Sequence, residues 1–444
     1  MKNKLLSTAL VISGLLLSAA GYAEPVYAVG SYDVGREEMP SLLMAESNDN
    51  GITWNNGLTN KQKTGGVLFS SSCSSDSCVA VGGQNTKKGA IIPVIYHKNK
   101  SDKNWQLTKF EGQSSMSFFV KAYCQDNNCY AIGMNVDTMS QTLASSSDEG
   151  RNWAFVKKID DKPIAQVLKK VEADHMACNT SFCIVIGNKK NEKIEKASFP
   201  IILTTGKDNQ WSTRSLKLSD EVVLNSVACD EEFCMLVGTK NDSEPFIATT
   251  NDEGKNWHFP ITMANGKLNE MSCSDKVCLA VGTFEDTESA ERRPLLLKST
   301  DSGNTWQSQA SVFDNDIITK YPNINVESVN CHHQRCVIVG SYENETKNDA
   351  PFLMISHDAA QTWEFPEEIY NQYPKDFTEG KLSTIVCSDN ACTAAGSHEF
   401  SERYGSDALF IVLDTNSGLW SYSEINKENM PQNYKSSNVF SIAR

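Results

Sequence analysis

The chain has 444 residues, a formal net charge of −14 and 40% hydrophobic residues. An acidic chain without a basic run is a poor ligand for nucleic acid or anionic lipid, so we expect neither as a partner. The hydrophobic content is that of a globular protein and excludes a largely disordered chain.

The first segment, 1–23, has the pattern of a secretory signal peptide. Two lysines precede an apolar stretch (5–20), and small residues lie at Gly21 and Ala23, where signal peptidase reads them. We predict Sec-dependent export to the periplasm or out of the cell, with cleavage after Ala23. The alternative is an N-terminal membrane anchor. No later stretch is apolar enough to predict membrane insertion of the mature chain.

A short cysteine motif, first seen as SCSSDSCVAVG at 72–82, occurs seven times in the chain. Each copy has four residues between its two cysteines, and the copies use all fourteen cysteines of the chain. Such regularity indicates a repeat array. The pairs are Cys73 with Cys78, Cys124 with Cys129, Cys178 with Cys183, Cys229 with Cys234, Cys273 with Cys278, Cys331 with Cys336 and Cys387 with Cys392.

Each pair flanks a hairpin loop between two short apolar runs, which we interpret as the first two strands of a repeat. Cross-strand neighbours beside such a loop lie within disulfide reach. Because the chain is expected to enter an oxidising compartment, we predict seven local disulfides and no free thiol. The closed loops are small, so each bond should contribute only about 2 kcal/mol.

A second motif, rich in Asp and Gly and ending in Trp, alternates with the first. The chain has eight tryptophans, and each closes one repeat unit of roughly fifty residues. Each unit reads as four short strands separated by turns, which predicts a four-stranded antiparallel sheet. The units close at Trp54, Trp105, Trp153, Trp211, Trp257, Trp306, Trp363 and Trp420.

The two ends of the array complement one another. The segment VYAVGSY (26–32) matches a second strand without a first, and SSNVFSIAR (436–444) matches a first strand with nothing after it. We therefore predict a single all-β domain over 24–444. It is an eight-bladed β-propeller of four-stranded antiparallel blades, closed by pairing of the N- and C-terminal strands. An open solenoid, with capping repeats at both ends, is the alternative.

The tryptophan motif resembles the Asp box, or BNR repeat, of the sialidase-like superfamily of propellers. The fullest match is Ser47, Asp49, Gly51, Thr53 and Trp54. The resemblance implies a turn between the third and fourth strands in which the carboxylate has a structural role. No spacing typical of a calcium loop is present. The structural aspartates are Asp49, Asp148, Asp252, Asp301 and Asp358.

The same resemblance raises the question of sialidase activity, which implies three arginines on the substrate carboxylate and a Tyr nucleophile paired with Glu. The early F/Y-R-I-P motif of that family is absent, and we interpret the arginine triad as missing. We therefore predict no catalytic residue, with a sialidase-like glycoside hydrolase of rearranged site as the alternative. The arginines are Arg36, Arg151, Arg214, Arg292, Arg293, Arg335, Arg403 and Arg444.

One cysteine loop, CHHQRC (331–336), holds two histidines and would be a zinc ligand set if its thiols were reduced. The six sister loops contain no histidine, so we interpret this one as an ordinary turn. No phosphate-binding loop, zinc-protease motif or serine-hydrolase motif appears. The sequence predicts neither a metal site nor a cofactor.

A ligand of a propeller is expected on the face formed by its B–C loops and D–A links, with strands labelled A to D outward from the axis. The B–C loops here are charged, and the later D–A links carry Tyr321, Tyr370, Tyr373, Phe377 and Tyr434. Aromatic rings beside Arg and carboxylates bind sugars or peptides; the alternative is that these rings pack between blades. The predicted contact residues are Arg292, Arg293, Tyr321, Tyr370, Tyr373, Arg403 and Tyr404.

The functional hypothesis is an exported, non-catalytic, monomeric propeller that binds a protein or glycan, or acts as an envelope scaffold. Besides the hydrolase, a second alternative is an assembly factor for a membrane or envelope complex, since the repeats also resemble those of Asp-box photosystem assembly factors.

Overall fold

The computed structural model describes residues 24–444 except 36–38, 59–64, 109–115, 191–197, 207–208, 219, 261–264, 286–291, 374–376, 401–405, 416 and 432. The segment predicted to be a signal peptide, 1–23, and the predicted contact residues Arg403 and Tyr404 lie outside this part of the chain. Within the described residues, no helix combines the length and hydropathy needed to cross a bilayer.

Eight antiparallel sheets, the blades, follow one another along the chain. Blade 1 contains Val26–Asp33, and the others are numbered in chain order. The A strands of blades 1 to 8 are Ser436–Ala443, Gly66–Cys73, Ser117–Gln125, Val171–Cys178, Val222–Cys229, Lys267–Ser274, Asn325–His332 and Phe377–Cys387. The B strands are Val26–Asp33, Ser77–Asn85, Asn128–Asn135, Phe182–Lys190, Cys234–Lys240, Val277–Glu285, Arg335–Glu343 and Ala391–Phe400.

The outer half of each blade is formed by the next two strands along the chain. The C strands are Ser41–Ser47, Ile91–Asn99, Ser140–Ser146, Ser198–Gly206, Glu244–Thr250, Arg292–Ser299, Asp349–Ser356 and Ser406–Asp414. The D strands are Asn55–Asn56, Gln106–Leu107, Ala154–Phe155, Trp211–Arg214, Gln307–Ser308 and Leu419–Ser423. In blades 5 and 7 the D strand is reduced to a single bridge, Thr249 to His258 and Ile355 to Glu364.

The few remaining elements lie in links between blades. They are the short strands Lys158–Ile159 and Lys162–Pro163, the α-helices Ile164–Val167 and Asn315–Lys320, and the 3-10 helices Ala310–Phe313, Glu367–Gln372 and Lys427–Asn429.

The ring closes as predicted. The C-terminal strand Ser436–Ala443 pairs antiparallel with Val26–Asp33 and forms the A strand of blade 1. It also contacts the A strands of blades 2 and 8, so consecutive A strands touch all the way around the axis. The all-β, eight-bladed architecture is therefore confirmed, and pairing of the chain ends removes two exposed sheet edges.

The core lies between the faces of neighbouring blades. Between blades 7 and 8, for example, Val337 and Val339 pack against Leu382 and Ile385, all of them buried. The tryptophan that closes a repeat belongs to such a layer: Trp54 of blade 1 is 1% exposed and stacks on Phe410 of blade 8 at 4.0 Å between ring centroids. B strands are sandwiched on both sides, which explains why they are apolar without alternation.

Every A strand carries a one-residue β-bulge at the same place. In blade 2, Leu68 pairs with Gly82 and Ser70 with Val81, so Phe69 has no partner residue. The glycine that ends each cysteine motif lies at this bulge, where a Cβ on Gly82 would lie 2.0 Å from the carbonyl oxygen of Val67. Only glycine tolerates that approach. The eight bulge glycines are Gly30, Gly82, Gly133, Gly187, Gly238, Gly282, Gly340 and Gly396.

The seven predicted cysteine pairs are all disulfide-bonded in the A–B hairpins, and no cysteine of the described chain is free. The two cysteines of each pair are also direct cross-strand partners, for example Cys178 and Cys183 in blade 4, which explains why the bonds form within a hairpin. The bonds join Cys73 to Cys78, Cys124 to Cys129, Cys178 to Cys183, Cys229 to Cys234, Cys273 to Cys278, Cys331 to Cys336 and Cys387 to Cys392.

Blade 1 has no such bond because opposite ends of the chain supply its two inner strands. In blade 2 the first cysteine, Cys73, lies four residues after the bulge residue Phe69. In blade 1, the residue four positions after the bulge residue Phe440 is Arg444, which therefore occupies the position of the first cysteine.

Five turns between C and D strands, here called the Asp turns, share one hydrogen-bond pattern. In blade 1, the Ser47 hydroxyl donates to the Asp49 carboxylate at 2.7 Å, and the Gly51 N–H donates to Ser47 Oγ at 2.8 Å. The Thr53 N–H and hydroxyl donate to the two carboxylate oxygens at 2.8 and 2.6 Å. The glycine adopts positive φ, except in blade 7, where Ala360 does so. The other four turns surround Asp148, Asp252, Asp301 and Asp358.

Candidate functional site

The ring has two faces of different character. The turn face carries the disulfide hairpins and the Asp turns, which contact one another: Ser77 Oγ, in the blade 2 hairpin, donates to the carbonyl oxygen of Glu149, in the blade 3 Asp turn, at 3.0 Å. The opposite face, the loop face, carries the B–C loops and D–A links. The contact residues predicted from the sequence belong to the loop face.

The two predicted arginines that are described begin the C strand of blade 6. Arg292 is exposed and Arg293 is half-buried. Tyr370 lies in the 3-10 helix Glu367–Gln372, in the link to blade 8.

Tyr321 is 3% exposed and packs in the core between blades 6 and 7. Its ring makes edge contacts with Tyr342 and Phe352, at 5.1 and 5.9 Å between centroids, and stacks on Phe365 at 5.8 Å. Burial raises the pKa of the Tyr321 hydroxyl above its ordinary value.

Tyr373 packs instead against the core between blades 7 and 8. Its ring stacks on Phe377 at 4.8 Å and makes an edge contact with Tyr422 at 5.7 Å. The structure therefore places Tyr321 and Tyr373 in separate inter-blade layers. Their role in binding a ligand stays a prediction.

A charged group, here called the closure cluster, lies on the loop face where blade 8 meets blade 1. Asp407 is 4% exposed and accepts from the Tyr434 hydroxyl at 2.5 Å. Lys427 Nζ lies 3.0 Å from Asp407 and 3.4 Å from Glu424, which also accepts from the Tyr422 hydroxyl. Burial, followed by the charge of Asp407, raises the pKa of Tyr434 well above its ordinary value.

The closure cluster continues into hydrogen bonds between blade 8 and the last strand. The Ala408 N–H donates to Ser437 Oγ at 3.0 Å, and the Ser406 hydroxyl donates to Asn438 Oδ1 at 2.7 Å. The side chain of His398 is fully buried beside the cluster, with Nε2 3.7 Å from Glu424 Oε1. Because its carboxylates are already paired, the arrangement is suited to holding the ring closed.

Sequence reasoning did not identify the closure cluster. It singled out Tyr434 as an aromatic residue of a link, but His398, Asp407 and Glu424 belong to no motif. The one available signal was their position near the loop-face ends of three strands of the same blade, blade 8.

The described arginines do not converge on one site. Four of them lie on the turn face: Arg151 lies in an Asp turn, Arg214 donates to Glu253 O, and Arg335 and Arg444 both bond the blade 8 hairpin. The other two are Arg292 and Arg293 of blade 6.

Three phenylalanines form a continuous aromatic surface on the innermost strands of blades 1 to 3, here called the inner aromatic wall. The ring of Phe69 lies 5.7 Å from that of Phe118 and 6.1 Å from that of Phe440. Phe440 is 47% exposed, and the other two are partly exposed. Contiguous exposed aromatic surface of this kind marks interaction sites.

Two members of the wall, Phe440 and Phe69, are the bulge residues of blades 1 and 2, and Phe118 lies two positions before the blade 3 bulge residue, Val120. In blades 1 to 3 the bulge residues are apolar, whereas in blades 4 to 8 they are polar or charged. Asn225, a member of the polar set, donates to the carbonyl of Leu268 on the next A strand at 2.7 Å. The bulge residues of blades 1 to 8 are Phe440, Phe69, Val120, Asp174, Asn225, Asn269, Glu327 and Ser383.

Residues able to hold a metal ion meet on the turn face. Among the described residues, they are His332, His333 and Asp389, whose ligand atoms lie within 4.8 Å of one another.

Neither a protein-family model nor a curated protein sequence matches the chain. Among solved structures, it is similar to YCF48 bound to D1 peptide, with 14% identity over 71% of this chain and 91% of that one and a TM-score of 0.42. It is also similar to the β-propeller domain of the Trilobed protease from Pyrococcus furiosus, with 8% identity over 83% and 97% and a TM-score of 0.47.

A third similar structure is the acylaminoacyl peptidase of Pyrococcus horikoshii, with 8% identity over 82% of this chain and 53% of that one and a TM-score of 0.48.

Proposed function

We propose that the chain is an exported, non-catalytic propeller that binds a protein partner, with the inner aromatic wall as its contact surface. The observation that carries the proposal is the contact of Phe69 with both Phe118 and Phe440 across three innermost strands. Phenylalanine has no polar group with which to orient a sugar, whereas it is enriched at the cores of protein interfaces. This favours a protein over a glycan as the partner.

The polar side of the ring adds a charge preference to the apolar contact. Asp174 is an acidic bulge residue on the innermost strand of blade 4, next to the wall, and Glu327 is one on the innermost strand of blade 7, across the ring. The whole chain carries a net charge of −14. A partner segment with apolar side chains and a basic flank would complement both sides.

We further infer that the chain is an Asp-box propeller of the sialidase-like superfamily. The support is the hydrogen-bond pattern of the Asp turns, which Ser47, Asp49, Gly51 and Thr53 form in blade 1, where the buried Trp54 follows the turn. Seven disulfides support export, because such bonds persist in oxidising compartments.

One observation favours the hydrolase alternative. The Tyr422 hydroxyl donates to Glu424, with the acidic Asp407 nearby, and a Tyr–Glu pair beside a separate acid is what the sialidase resemblance implies. Against it, Lys427 forms ion pairs with both carboxylates, and the described arginines lie elsewhere.

The test is a crosslinking pull-down from envelope extract with three proteins: wild type, the double variant Phe69→Ser with Phe440→Ser, and the control Phe199→Ser. Phe199 is 55% exposed at the start of the blade 4 C strand, away from the wall. We expect wild type and the control to recover the same stoichiometric partner and the double variant to lose it. Circular dichroism and thermal unfolding check that all three are folded.

Three results would contradict the proposal. Recovery of the same partner by the double variant would exclude the wall as the contact surface. Hydrolysis of a sialoside by the purified protein, abolished by Tyr422→Phe, would establish the enzyme instead. Binding on a glycan array without any protein partner would assign the surface to a sugar.

A further inference from the structure

Three neighbouring hairpins on the turn face bring histidine and aspartate side chains together. Equivalent positions of the A–B hairpins of blades 6, 7 and 8 are occupied by Asp275, His333 and Asp389, and His332 precedes the middle one. Nearest neighbours along a propeller ring are adjacent in space, so one repeated position becomes a row of ligand atoms across three blades.

The distances are those of a coordination site that needs little rearrangement. Asp389 Oδ1 lies 3.0 Å from His332 Nε2 and 3.6 Å from His333 Nε2. Ligands about 2.0–2.1 Å from a tetrahedral zinc ion are separated by roughly 3.3 Å. Both measured separations are close to that value.

A further carboxylate orients one of the histidines. His333 Nδ1 lies 2.8 Å from Asp275 Oδ2, which leaves Nε2 directed at Asp389. A metal-ligating histidine almost always donates its other ring N–H to a carboxylate or carbonyl group in this way. A histidine in an ordinary surface turn does not require a carboxylate at its second ring nitrogen.

The backbone of the site is held in place as well. The His333 N–H donates to Ser274 Oγ of the blade 6 hairpin at 2.9 Å, and the disulfide between Cys331 and Cys336 closes the hairpin beneath it. Anchored loops lose little entropy when they bind an ion. Because the cysteines are oxidised, the ligands come from the loop residues and not from the thiols of the sequence motif.

The charge balance favours a cation. Asp275 and Asp389 contribute two negative charges, and Arg335, which also lines this depression of about 420 Å³, contributes one positive charge. Arg335 is turned to the carbonyl of Ser388, to which its Nη1 donates at 3.1 Å. The site is therefore negative when both histidines are neutral.

We propose that His332 Nε2, His333 Nε2 and the Asp389 carboxylate bind a divalent transition-metal ion of the zinc class, with Asp275 orienting His333. Two imidazoles and one carboxylate form a borderline-soft set suited to zinc, and an open fourth position faces the depression lined by Gln334 and His357. The ion would join the hairpins of blades 7 and 8. This departs from the expectation, drawn from the sequence, that the chain holds no metal.

The test is isothermal titration of ZnCl₂ into the purified protein, with disulfides intact and no histidine tag. We expect one zinc per chain with a micromolar dissociation constant. The double variant His332→Ala with His333→Ala should weaken binding at least about 100-fold, and Asp275→Asn about 10- to 100-fold, as for other orienting partners of metal ligands. The control is His175→Ala, which should change nothing. It removes a histidine whose Nδ1 lies 2.8 Å from Asp174 Oδ1 on the innermost strand of blade 4.

A second measurement uses the wild type alone and does not depend on the folding of variants. Zinc should protect His332 and His333 from modification by diethylpyrocarbonate, read by mass spectrometry, while His175 stays reactive. Equal reactivity with and without zinc, or unchanged zinc binding by the double variant, would overturn the proposal.

Discussion

The inner strands of blade 1 are held by different interactions from those of the seven disulfide-bonded blades. In blades 2 to 8 a disulfide joins the inner two strands beside their hairpin, for example Cys73 to Cys78. In blade 1 there is no hairpin, and Arg444 stands where the first cysteine would be. Its guanidinium donates to Ser388 Oγ and Ala391 O at 2.7 Å, and to Asn50 O at 3.1 Å.

The comparison shows that the covalent bonds in this protein are local, whereas closure of the ring depends on noncovalent contacts. Each disulfide spans five positions of sequence, so it restricts the unfolded chain only slightly. Ser436–Ala443 and Val26–Asp33 come from opposite ends of the chain, and their pairing carries the largest entropy cost of folding. The Arg444 hydrogen bonds and the closure cluster lie where the ring closes, and their interactions offset part of that entropy cost.

The largest effect is expected from giving blade 1 the missing disulfide. Val26 lies four residues before Gly30, as Cys78 lies four before Gly82, so Val26→Cys with Arg444→Cys reproduces the spacing found in the other blades. A bond closing a loop of almost the whole chain should stabilise it by about 6 kcal/mol. Loss of the Arg444 hydrogen bonds, about 1 kcal/mol each, reduces the net gain to about 3 kcal/mol.

The gain is measured by urea unfolding of the oxidised double variant against the single variants Val26→Cys and Arg444→Cys. If the double variant is no more stable than the better single variant, closure of the ring does not limit the free energy of unfolding.

An intermediate effect is expected from removing one local disulfide. Replacing both Cys73 and Cys78 by serine should lower the free energy of unfolding by about 2 kcal/mol, because a six-residue loop contributes little entropy. The matched control replaces Cys124 and Cys129 in the next blade and should lose a similar amount. Urea unfolding measures both losses. The local disulfides are expected to stabilise the fold less than a bond that closes the ring. A loss of unfolding free energy in either blade that exceeds the gain from the ring-closing bond would contradict this.

The smallest effect concerns the Asp turns, which blade 1 shares with the other blades. Hydrogen bonds from the Thr362 hydroxyl and then its N–H hold the pKa of the Asp358 carboxyl well below its ordinary value. A carboxyl whose pKa is lower in the folded state stabilises the fold above its unfolded pKa of about 4, and that contribution is lost as the pH falls further.

Asp358→Asn should therefore lower stability at pH 7 by about 1 kcal/mol, as expected for lost charge-assisted hydrogen bonds. The deficit should shrink as the pH falls below about 4, followed by urea unfolding at each pH. Asp49→Asn, in the corresponding turn of blade 1, is the matched variant and should behave alike. An unequal pH dependence of the two would mean that closure of the ring alters the turn.

The arrangement of blades was predictable because it is repeated. Seven cysteine pairs and eight tryptophans indicate the period, and the unmatched strands at 26–32 and 436–444 indicate how the ring closes. The glycine that ends each cysteine motif was visible in the sequence as well, but the structural reason for it was not. Gly82 is needed because the Phe69 bulge brings the Val67 carbonyl close, and a bulge has no signature in sequence spacing.

The location of the aromatic residues was less predictable. Tyr321 and Tyr373 were singled out because they lie in links on the loop face, but such a link also borders the layer between two blades, and there both rings are packed. The inner aromatic wall went unnoticed because its members are ordinary strand residues. Phe69 and Phe440 are separated by almost the entire chain and meet only because the ring closes.

By itself, the sequence determined the strand content, the period, the disulfides and the closure, because each depends on contacts within one repeat or between two matching ends. The tertiary structure alone decided what the repeats do together. One position of neighbouring hairpins brings His333 to Asp389, and the bulge position of two neighbouring A strands brings Phe69 to Phe440 in the inner aromatic wall. Those juxtapositions join residues of different blades, and the spacing of residues along the chain carries no record of them.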